Sequence, residues 1–107
     1  MAATTAREFF EELGRKAAGG SERTRGLRAS YRFDVDGVGS WRVVVDDGAV
    51  SVEESDAAAD CVIQGSESTL LDIAKGKRNP MGAFLTGKVK VTGDVGLAMR
   101  LRDLFAG

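Results

Sequence analysis

Residues 27–36 alternate strictly between apolar and polar side chains, and this pattern restricts the chain to folds with a half-buried β-sheet. The apolar positions are Leu27, Ala29, Tyr31, Phe33 and Val35. The polar positions are Arg28, Ser30, Arg32, Asp34 and Asp36. Because one face of this strand is polar and the other apolar, the apolar face must be covered by another layer of the protein.

The next segments predict a meander of short strands. A turn over residues 36–39 leads into a second strand with Trp41, Val43 and Val45 facing one way. Asp47-Gly48 is typical of a type I′ hairpin, so a short third strand containing Val50 and Val52 follows.

Two more strands are predicted in the second half of the chain. An acidic, alanine-rich loop over Glu53–Asp60 precedes a fourth strand over Asp60–Gln64. Lys88–Thr92 alternates as a fifth strand, and its lysines protect an exposed sheet edge against pairing with other chains.

The first helix is predicted near residues 5–18. Thr5 and Glu8 have the spacing of a capping box, and Gly19-Gly20 ends the helix. One face is apolar, formed by Ala6, Phe9, Phe10, Leu13 and Ala17.

Three further helices are predicted from their capping residues. Ser66 begins one that runs through Lys75, with Leu70, Leu71 and Ala74 on one face. Asn79 and Pro80 begin a short helix that Gly87 ends, lined by Met81, Phe84 and Leu85. Asp94 caps the last, whose apolar stripe comprises Leu97, Ala98, Leu101, Leu104 and Phe105.

This order of elements predicts an α+β fold in a single domain over residues 1–107. A single five-stranded sheet, largely antiparallel, has helices packed on one face, because the strands show one polar face each and the helices supply matching apolar stripes. With 107 residues the chain has enough surface for one hydrophobic core.

Composition excludes several function classes. The chain has no histidine and one cysteine, so His-based triads, an internal disulfide and Cys₂His₂ or Cys₄ zinc sites are excluded. Asp34-Val35-Asp36-Gly37 lacks the remaining ligands of a calcium loop and indicates a strand end followed by a turn. Cys61 lies in an apolar strand without a cationic neighbour, which favours a buried thiol. No metal, cofactor or catalytic residue is expected, and the chain is not predicted to be an enzyme.

The same composition bears on partners and location. A net charge of −1 and the lack of phosphate-binding glycine motifs argue against nucleic acid and nucleotide. Residues 1–20 lack the apolar run of a signal peptide, and no 18-residue apolar stretch occurs. Together with the lone cysteine, these features predict a cytoplasmic protein.

Charges are segregated along the chain. Between Ile73 and Gly93 there is no acidic residue but there are five cations: Lys75, Lys77, Arg78, Lys88 and Lys90. These residues form either an ordinary solvated surface or a basic collar around Met81, Phe84 and Leu85. A collar would allow weak contact with anionic lipid headgroups at a membrane surface.

Residues 59–105 closely resemble the sterol carrier protein type 2 family of lipid-binding domains. The resemblance rests on Gly76-Lys77, Asn79-Pro80, Ala83-Phe84, the run Gly87 to Asp94, and Ala98 to Leu101. It implies a five-stranded sheet with helices over one face and a hydrophobic tunnel between them for fatty acids, acyl-CoA, phospholipids or sterols. It also implies no catalysis, and the residue composition is typical of a bacterial source.

We therefore expect non-catalytic binding, and transfer, of an apolar lipid in a cavity between sheet and helices. The expected ligand-binding residues are Phe9, Phe10, Leu13, Leu70, Leu71, Met81, Phe84, Leu85, Leu101, Leu104 and Phe105. Some of these are expected to be plain core, since composition does not separate a filled core from a cavity. The alternative is a protein-interaction or dimerisation module with the same fold, a filled interior and no ligand, and the sequence leaves monomer and dimer equally open.

Overall fold

The alternating segments form one mixed sheet. The computed structural model describes residues 5–17, 26–75 and 77–100. Within them the strands are β1 (Arg28–Val35), β2 (Gly39–Asp46), β3 (Ala49–Glu54), β4 (Cys61–Gly65) and β5 (Val89–Gly93). They lie side by side in the order β3-β2-β1-β4-β5. Because β1 pairs with β4 in parallel and the other neighbouring strands in this order pair antiparallel, the predicted largely antiparallel sheet is confirmed.

Within the same described residues, four helices cover the apolar face of the sheet, as predicted. They are α1 (Ala6–Ala17), α2 (Glu67–Ala74), α3 (Pro80–Leu85) and α4 (Val95–Ala98). Helix α1 packs on β3 and α2, α3 on β5, and α4 on β4 and β5. The predicted end of the first helix at Gly19-Gly20 and the side chain of Ala17 lie outside the described residues, as do Leu101, Leu104 and Phe105.

The predicted helix starts are confirmed by side-chain caps. The Thr5 hydroxyl accepts from the amide of Glu8 at 3.2 Å and donates to the Glu8 carboxylate at 3.0 Å. The Ser66 hydroxyl accepts from the amide of Thr69 at 3.2 Å. Such caps satisfy amides that have no partner within the helix, so they fix where each helix begins.

The turn chemistry is also confirmed. Asp47 and Gly48, between β2 and β3, both have positive φ, 50° and 93°. A type I′ turn requires this at both central residues, and Asp followed by Gly adopts it at low cost. Asp47 Oδ1 also accepts from the amide of Gly26 at 2.7 Å, which ties the start of β1 to the hairpin.

The predicted loop over Glu53–Asp60 begins two residues too early. Glu53 and Glu54 belong to β3, opposite Arg42 and Trp41 of β2. Glu54 also forms a two-point ion pair with Arg7 of α1, at 2.7 and 3.1 Å. Composition alone assigns these two acidic residues to a loop. Their pairing with Arg42 and Arg7 allows the strand to continue through them.

The remaining loop, Ser55–Asp60, lies against the polar face of the sheet. Arg32 Nη1 donates to the carbonyl of Asp56 at 3.0 Å, and Arg42 Nε donates to the carbonyl of Ala58 at 3.0 Å. The loop takes the chain from the β3 edge to β4, on the far side of β1. This connection is what makes β4 parallel to β1.

The hydrophobic core lies between the helices and the inward side chains of the sheet. The five inward positions of β1 and its lead-in, predicted from alternation, are all buried: Leu27, Ala29, Tyr31, Phe33 and Val35. Trp41, Val43 and Val45 of β2 and Ile63 of β4 continue this surface. Burial of this surface is the main favourable term for folding.

Candidate functional site

A cavity of about 170 Å³ lies within this layer of packing, between the helices and the inward face of the sheet. All but one of its described lining residues are apolar. They are Ala6, Phe9, Phe10, Phe33, Ile63, Leu70, Leu71, Ile73, Met81, Phe84, Val89, Val91, Val95, Ala98 and Met99, and the polar one is Asn79. A cavity with such walls favours an apolar guest over water, which needs two to four polar partners.

One wall of the cavity is aromatic and comes from α1 and β1. The ring of Phe10 stacks on Trp41, with centroids 5.1 Å apart and an interplanar angle of 13°. It also contacts Phe33 at 5.3 Å and meets Phe9 edge-on at 5.2 Å. Contacts on several sides hold Phe10 in one orientation, so this wall is preformed.

Helix α2 forms the adjoining wall through Leu70, Leu71 and Ile73. Its first residue, Glu67, accepts from the amide of Ala6 at 2.9 Å. A carboxylate at this place satisfies an amide in the first turn of α1 and opposes the positive end of that helix. These two cavity-lining helices are thereby joined at their starts.

Helix α3 is held at both ends, and its two faces differ. Asn79 Oδ1 accepts from the amides of Met81 and Gly82, at 2.8 and 3.3 Å. At the other end Gly87, with φ of 76°, and the amide of Lys88 close a Schellman motif onto the carbonyls of Phe84 and Ala83. This geometry turns Met81 and Phe84 toward the cavity.

Helix α4 is fixed to the centre of the sheet. Tyr31 Oη donates to the carbonyl of Leu97 at 2.9 Å, and Asp94 Oδ1 accepts from the amide of Leu97 at 3.3 Å. These bonds keep Val95, Ala98 and Met99 at the cavity, although Met99 is 60% exposed. An exposed residue that also lines the cavity marks where its interior approaches the surface.

The match to a protein family extends over nearly the whole chain. The model of the SCP-2 sterol transfer family matches residues 10–106, which is most of the 107-residue chain. This chain belongs to the SCP-2 sterol transfer family. The fold is thus that of an SCP-2 domain, and the predicted resemblance is confirmed.

Named relatives agree with this membership. Sterol carrier protein 2 of Rattus norvegicus is 40% identical over 103 residues, covering 90% of this chain and 19% of the rat protein. The chain therefore spans about a fifth of the length of that relative. Non-specific lipid-transfer protein-like 1 of Caenorhabditis elegans is 28% identical, covering 90% of this chain and 86% of the relative.

A solved structure confirms the fold. Sterol carrier protein domain 2 of Helicoverpa armigera superposes with a TM-score of 0.73 and 29% identity. The match covers 92% of this SCP-2 chain and 84% of the insect domain. The SCP-2 family is a family of lipid carriers, and its members include domains that form part of longer proteins.

The structure brings six of the predicted ligand-binding residues of this SCP-2 chain together at the cavity: Phe9, Phe10, Leu70, Leu71, Met81 and Phe84. Leu13 is buried in the core but does not line the cavity, and Leu85 is 74% exposed on the other side of α3. Leu101, Leu104 and Phe105 lie outside the described residues, so their role stays a prediction.

Other lining residues are absent from the predicted set. Phe33, Ile63, Val89 and Val91 are inward positions of strands, and their alternation could have indicated them. Val95 and Met99 carry no such signal, because the helix they belong to reaches the cavity only through tertiary contacts. Asn79 is predicted only as a helix cap, and it is a lining residue as well.

None of the described residues that line the SCP-2 cavity is ionisable. Among the basic residues of the collar Lys75, Lys77, Lys88 and Lys90 are exposed, and Arg78 is half-buried. Cys61 is fully buried, and desolvation, with smaller contributions from Asp94 and Asp60, raises the pKa of its thiol to about 11. The thiol is therefore neutral at physiological pH and unreactive.

In residues 5–17, 26–75 and 77–100 no three metal-ligating side chains cluster. None of the helices in these ranges is long and apolar enough to cross a membrane.

Proposed function

We propose that this chain binds the apolar part of a lipid in the cavity and carries it without chemical change. The observation that supports this most directly is the cavity itself, whose described walls are apolar except for Asn79. The ligand would be a fatty acid, an acyl-CoA, a phospholipid or a sterol. An engineered cavity of similar size, about 150 Å³, binds benzene in another protein, so a space of this size admits a guest.

The driving force in this proposal is removal of apolar surface from water. Covering roughly 300 Å² of an acyl chain at about 25 cal/mol per Å² contributes about 7 kcal/mol. Part of that free energy offsets the loss of motion on binding, so we expect micromolar affinity or weaker. The preformed aromatic wall reduces that cost, because Phe10 is already held by Trp41 and Phe33.

The residues proposed to contact the lipid are those at the cavity walls: Phe9, Phe10, Leu70, Leu71, Met81 and Phe84. Leu13 supports the wall from the core. Leu101, Leu104 and Phe105 complete the set if the segment after α4 continues its apolar stripe.

A carrier without catalysis fits the chemistry of the chain. The sequence has no histidine, and its single thiol is buried with a raised pKa. The commonest general base is therefore missing, and the thiol is inert as a nucleophile. We propose a cytoplasmic location on the basis of this lone reduced cysteine.

The cavity also supports lipid binding over the alternative, an interaction module with a filled interior. Such a module needs no apolar space between sheet and helices. The oligomeric state of the chain, monomer or dimer, can be measured by size-exclusion chromatography with and without lipid.

We also propose that the chain exchanges lipid at an anionic membrane surface. Leu85, in α3, and Met99, directly after α4, are exposed, at 74% and 60%. Lys75, Lys77, Arg78, Lys88 and Lys90 occupy the same part of the sequence, without an acidic residue among them. Each basic residue near an anionic surface contributes about 1 kcal/mol, so the contact would be weak and reversible.

Lipid binding is tested on purified protein that has been stripped of lipid. Titration with palmitate is followed by calorimetry, and protein from its natural source is examined by native mass spectrometry for retained lipid. We expect one lipid per chain with micromolar affinity. Failure to bind palmitate together with the absence of any retained lipid would falsify the proposal.

Membrane contact is tested separately by sedimentation with vesicles. Vesicles of phosphatidylcholine with about one third phosphatidylglycerol should retain the protein at low salt, and pure phosphatidylcholine vesicles should not. Replacing Lys75, Lys77, Lys88 and Lys90 together by Gln should abolish the difference. Equal retention by both kinds of vesicle contradicts the electrostatic contact but leaves lipid binding untouched.

A further inference from the structure

The link between α2 and α3 runs along the edge of the cavity. Ile73, near the end of α2, and Asn79, directly before α3, both line the cavity. Between them, the amides of Lys77 and Arg78 donate to the carbonyl of Asp72, at 2.8 and 3.2 Å. These bonds fold the link back onto the last turn of α2, so Arg78 is fixed next to a cavity-lining residue.

Arg78 has a buried donor without a partner. Its Nε is shielded from solvent, and no acceptor among the described residues lies within hydrogen-bonding distance. None of the carboxylates in the described ranges forms an ion pair with Arg78, whereas Arg7, Arg28, Arg32 and Arg42 each have one. Buried polar groups in proteins are nearly always hydrogen-bonded, so this exception calls for an explanation.

Asn79 adds a second donor at the same place. Its Oδ1 already accepts from the amides of Met81 and Gly82. The Nδ2 group donates to none of the described residues, and it belongs to the one polar side chain in the described cavity lining. Asn79 at the cavity and its chain neighbour Arg78 thus offer two donors that are bonded to none of the described carboxylates, next to an otherwise apolar cavity. Such a pair of donors suits an anion with an apolar tail.

We propose that Arg78, assisted by Asn79, binds the anionic head of the lipid whose chain occupies the cavity. The ligand class is then a single-headed amphiphile with a carboxylate or a phosphate. The aliphatic stem of an arginine lies well against apolar surface while its guanidinium contacts a polar group, and the planar guanidinium matches both kinds of head. This inference rests on the proposed function, because it assigns the polar end of the ligand in that cavity.

The test compares ligands of equal chain length by calorimetry at pH 8 and constant ionic strength. Dodecanoate and dodecyl phosphate carry the charge, and 1-dodecanol lacks it. The unmodified protein should bind at least one of the two anions about tenfold more tightly than the alcohol, as a charged hydrogen bond implies. Arg78→Met should remove this preference and leave binding of 1-dodecanol within about twofold, since the charge interaction alone is lost.

The matched control is Arg28→Met, the same substitution at a side chain that is 79% exposed and paired with Asp46 away from the cavity. It removes the same charge and should keep the preference for anions. Thermal unfolding of both variants checks that they are folded. The anion that shows the preference identifies the head group as carboxylate or phosphate.

Three results overturn the inference. One is equal affinity of the unmodified protein for anions and alcohol; another is a preference that survives Arg78→Met; the third is an equal loss in Arg28→Met. In all three the alcohol still binds, so lipid binding in the cavity stands. If none of the three ligands binds, the inference fails, and the palmitate titration with the search for retained lipid decides whether the proposed function fails with it.

Discussion

The hydroxyl of Tyr31 donates a hydrogen bond to the backbone carbonyl of Leu97 at 2.9 Å. Tyr31 lies in β1, at the centre of the sheet, and is fully buried, whereas Leu97 lies in α4 at the border of the cavity. A helix of four residues has little stability of its own, so this bond to the sheet determines where α4 lies.

Removing that hydroxyl should loosen α4 and destabilise the domain. Tyr31→Phe keeps the ring and deletes the bond, which should lower the free energy of unfolding by about 0.5–1.5 kcal/mol. Urea unfolding measures this directly. Because Val95, Ala98 and Met99 line the cavity, palmitate affinity should fall as well. An unchanged stability and affinity would show that other contacts of α4 suffice.

Phe84 and Leu85 are neighbours on α3, but only Phe84 lines the cavity. Phe84→Trp should fill part of the cavity and weaken palmitate binding about tenfold. The larger ring would exclude one or two methylene groups of the palmitate chain from the cavity, and burial of each contributes about 0.8 kcal/mol. Leu85→Trp, on the exposed side, should leave the affinity unchanged in a titration without vesicles. Calorimetry on both variants gives the comparison.

The opposite pattern, in which Leu85→Trp weakens binding and Phe84→Trp does not, would place the lipid outside this cavity. Loss of folding in Phe84→Trp without any effect on lipid in its folded fraction would make Phe84 a core residue. Thermal unfolding of both variants distinguishes these cases.

Gly93 and Gly87 both have positive φ, 86° and 76°, but their surroundings differ. A Cβ at Gly93 would overlap the carbonyl oxygen of Asp60, which also accepts from the amide of Asp94. A Cβ at Gly87 would have no described atom within 4 Å. Gly93→Ala should therefore cost more than about 3 kcal/mol, and Gly87→Ala only the backbone term of about 1–2 kcal/mol.

The pair is compared by chemical unfolding. Equal losses of stability would mean that backbone strain accounts for the loss at both sites. The backbone of Asp60 would then move away from the new Cβ at little cost. A larger loss at Gly93 supports the interpretation that β5 and the start of α4 are held against Asp60 by close backbone approach.

Asp34 should make stability depend on pH in the acid range. Desolvation raises the pKa of its carboxyl, but hydrogen bonds from Arg32, at 2.9 and 3.0 Å, and from Ser40, at 2.8 Å, lower it more. The folded pKa is thus below the ordinary value of 3.8. The contribution of Asp34 is complete above that value and is lost as pH falls through the folded pKa.

Asp34→Asn is the matching variant. It should lower the free energy of unfolding by about 1 kcal/mol at pH 6, a modest amount because the pair is partly exposed. The difference from the unmodified protein should shrink as the pH falls below about 4 and through the folded pKa, because the unmodified carboxyl then becomes protonated in the folded protein as well. Urea unfolding between pH 6 and pH 3 measures both, and a difference that stays constant over this range contradicts the assignment.

Much of the local structure can be predicted from residue types. Alternation over 27–36 identifies β1 and its buried side, and Asp47-Gly48 identifies the hairpin. Asn79 and Gly87 identify the two ends of α3. Each of these signals depends on the backbone and on near neighbours in sequence, which is why the sequence suffices for them.

The position of the elements relative to one another depends on tertiary contacts. Nothing in the pattern of β4 distinguishes parallel from antiparallel pairing with β1, because both place the same side chains inward. The Ser55–Asp60 loop decides it by crossing the polar face under Arg32 and Arg42. These bonds join residues far apart in sequence, so no local signal reveals them.

Residue types and their spacing were therefore enough to predict one sheet, an apolar helix layer over it and the motifs of a lipid-carrier family. They did not distinguish Phe84, which lines a cavity, from Leu85, which lies exposed, and they identified Asn79 only as a helix cap and not as a lining residue. Periodicity indicates only which side of an element is apolar. Whether that side meets another side chain or an empty space depends on how far the packed layers stand apart, and this distance is set by contacts between residues remote in sequence.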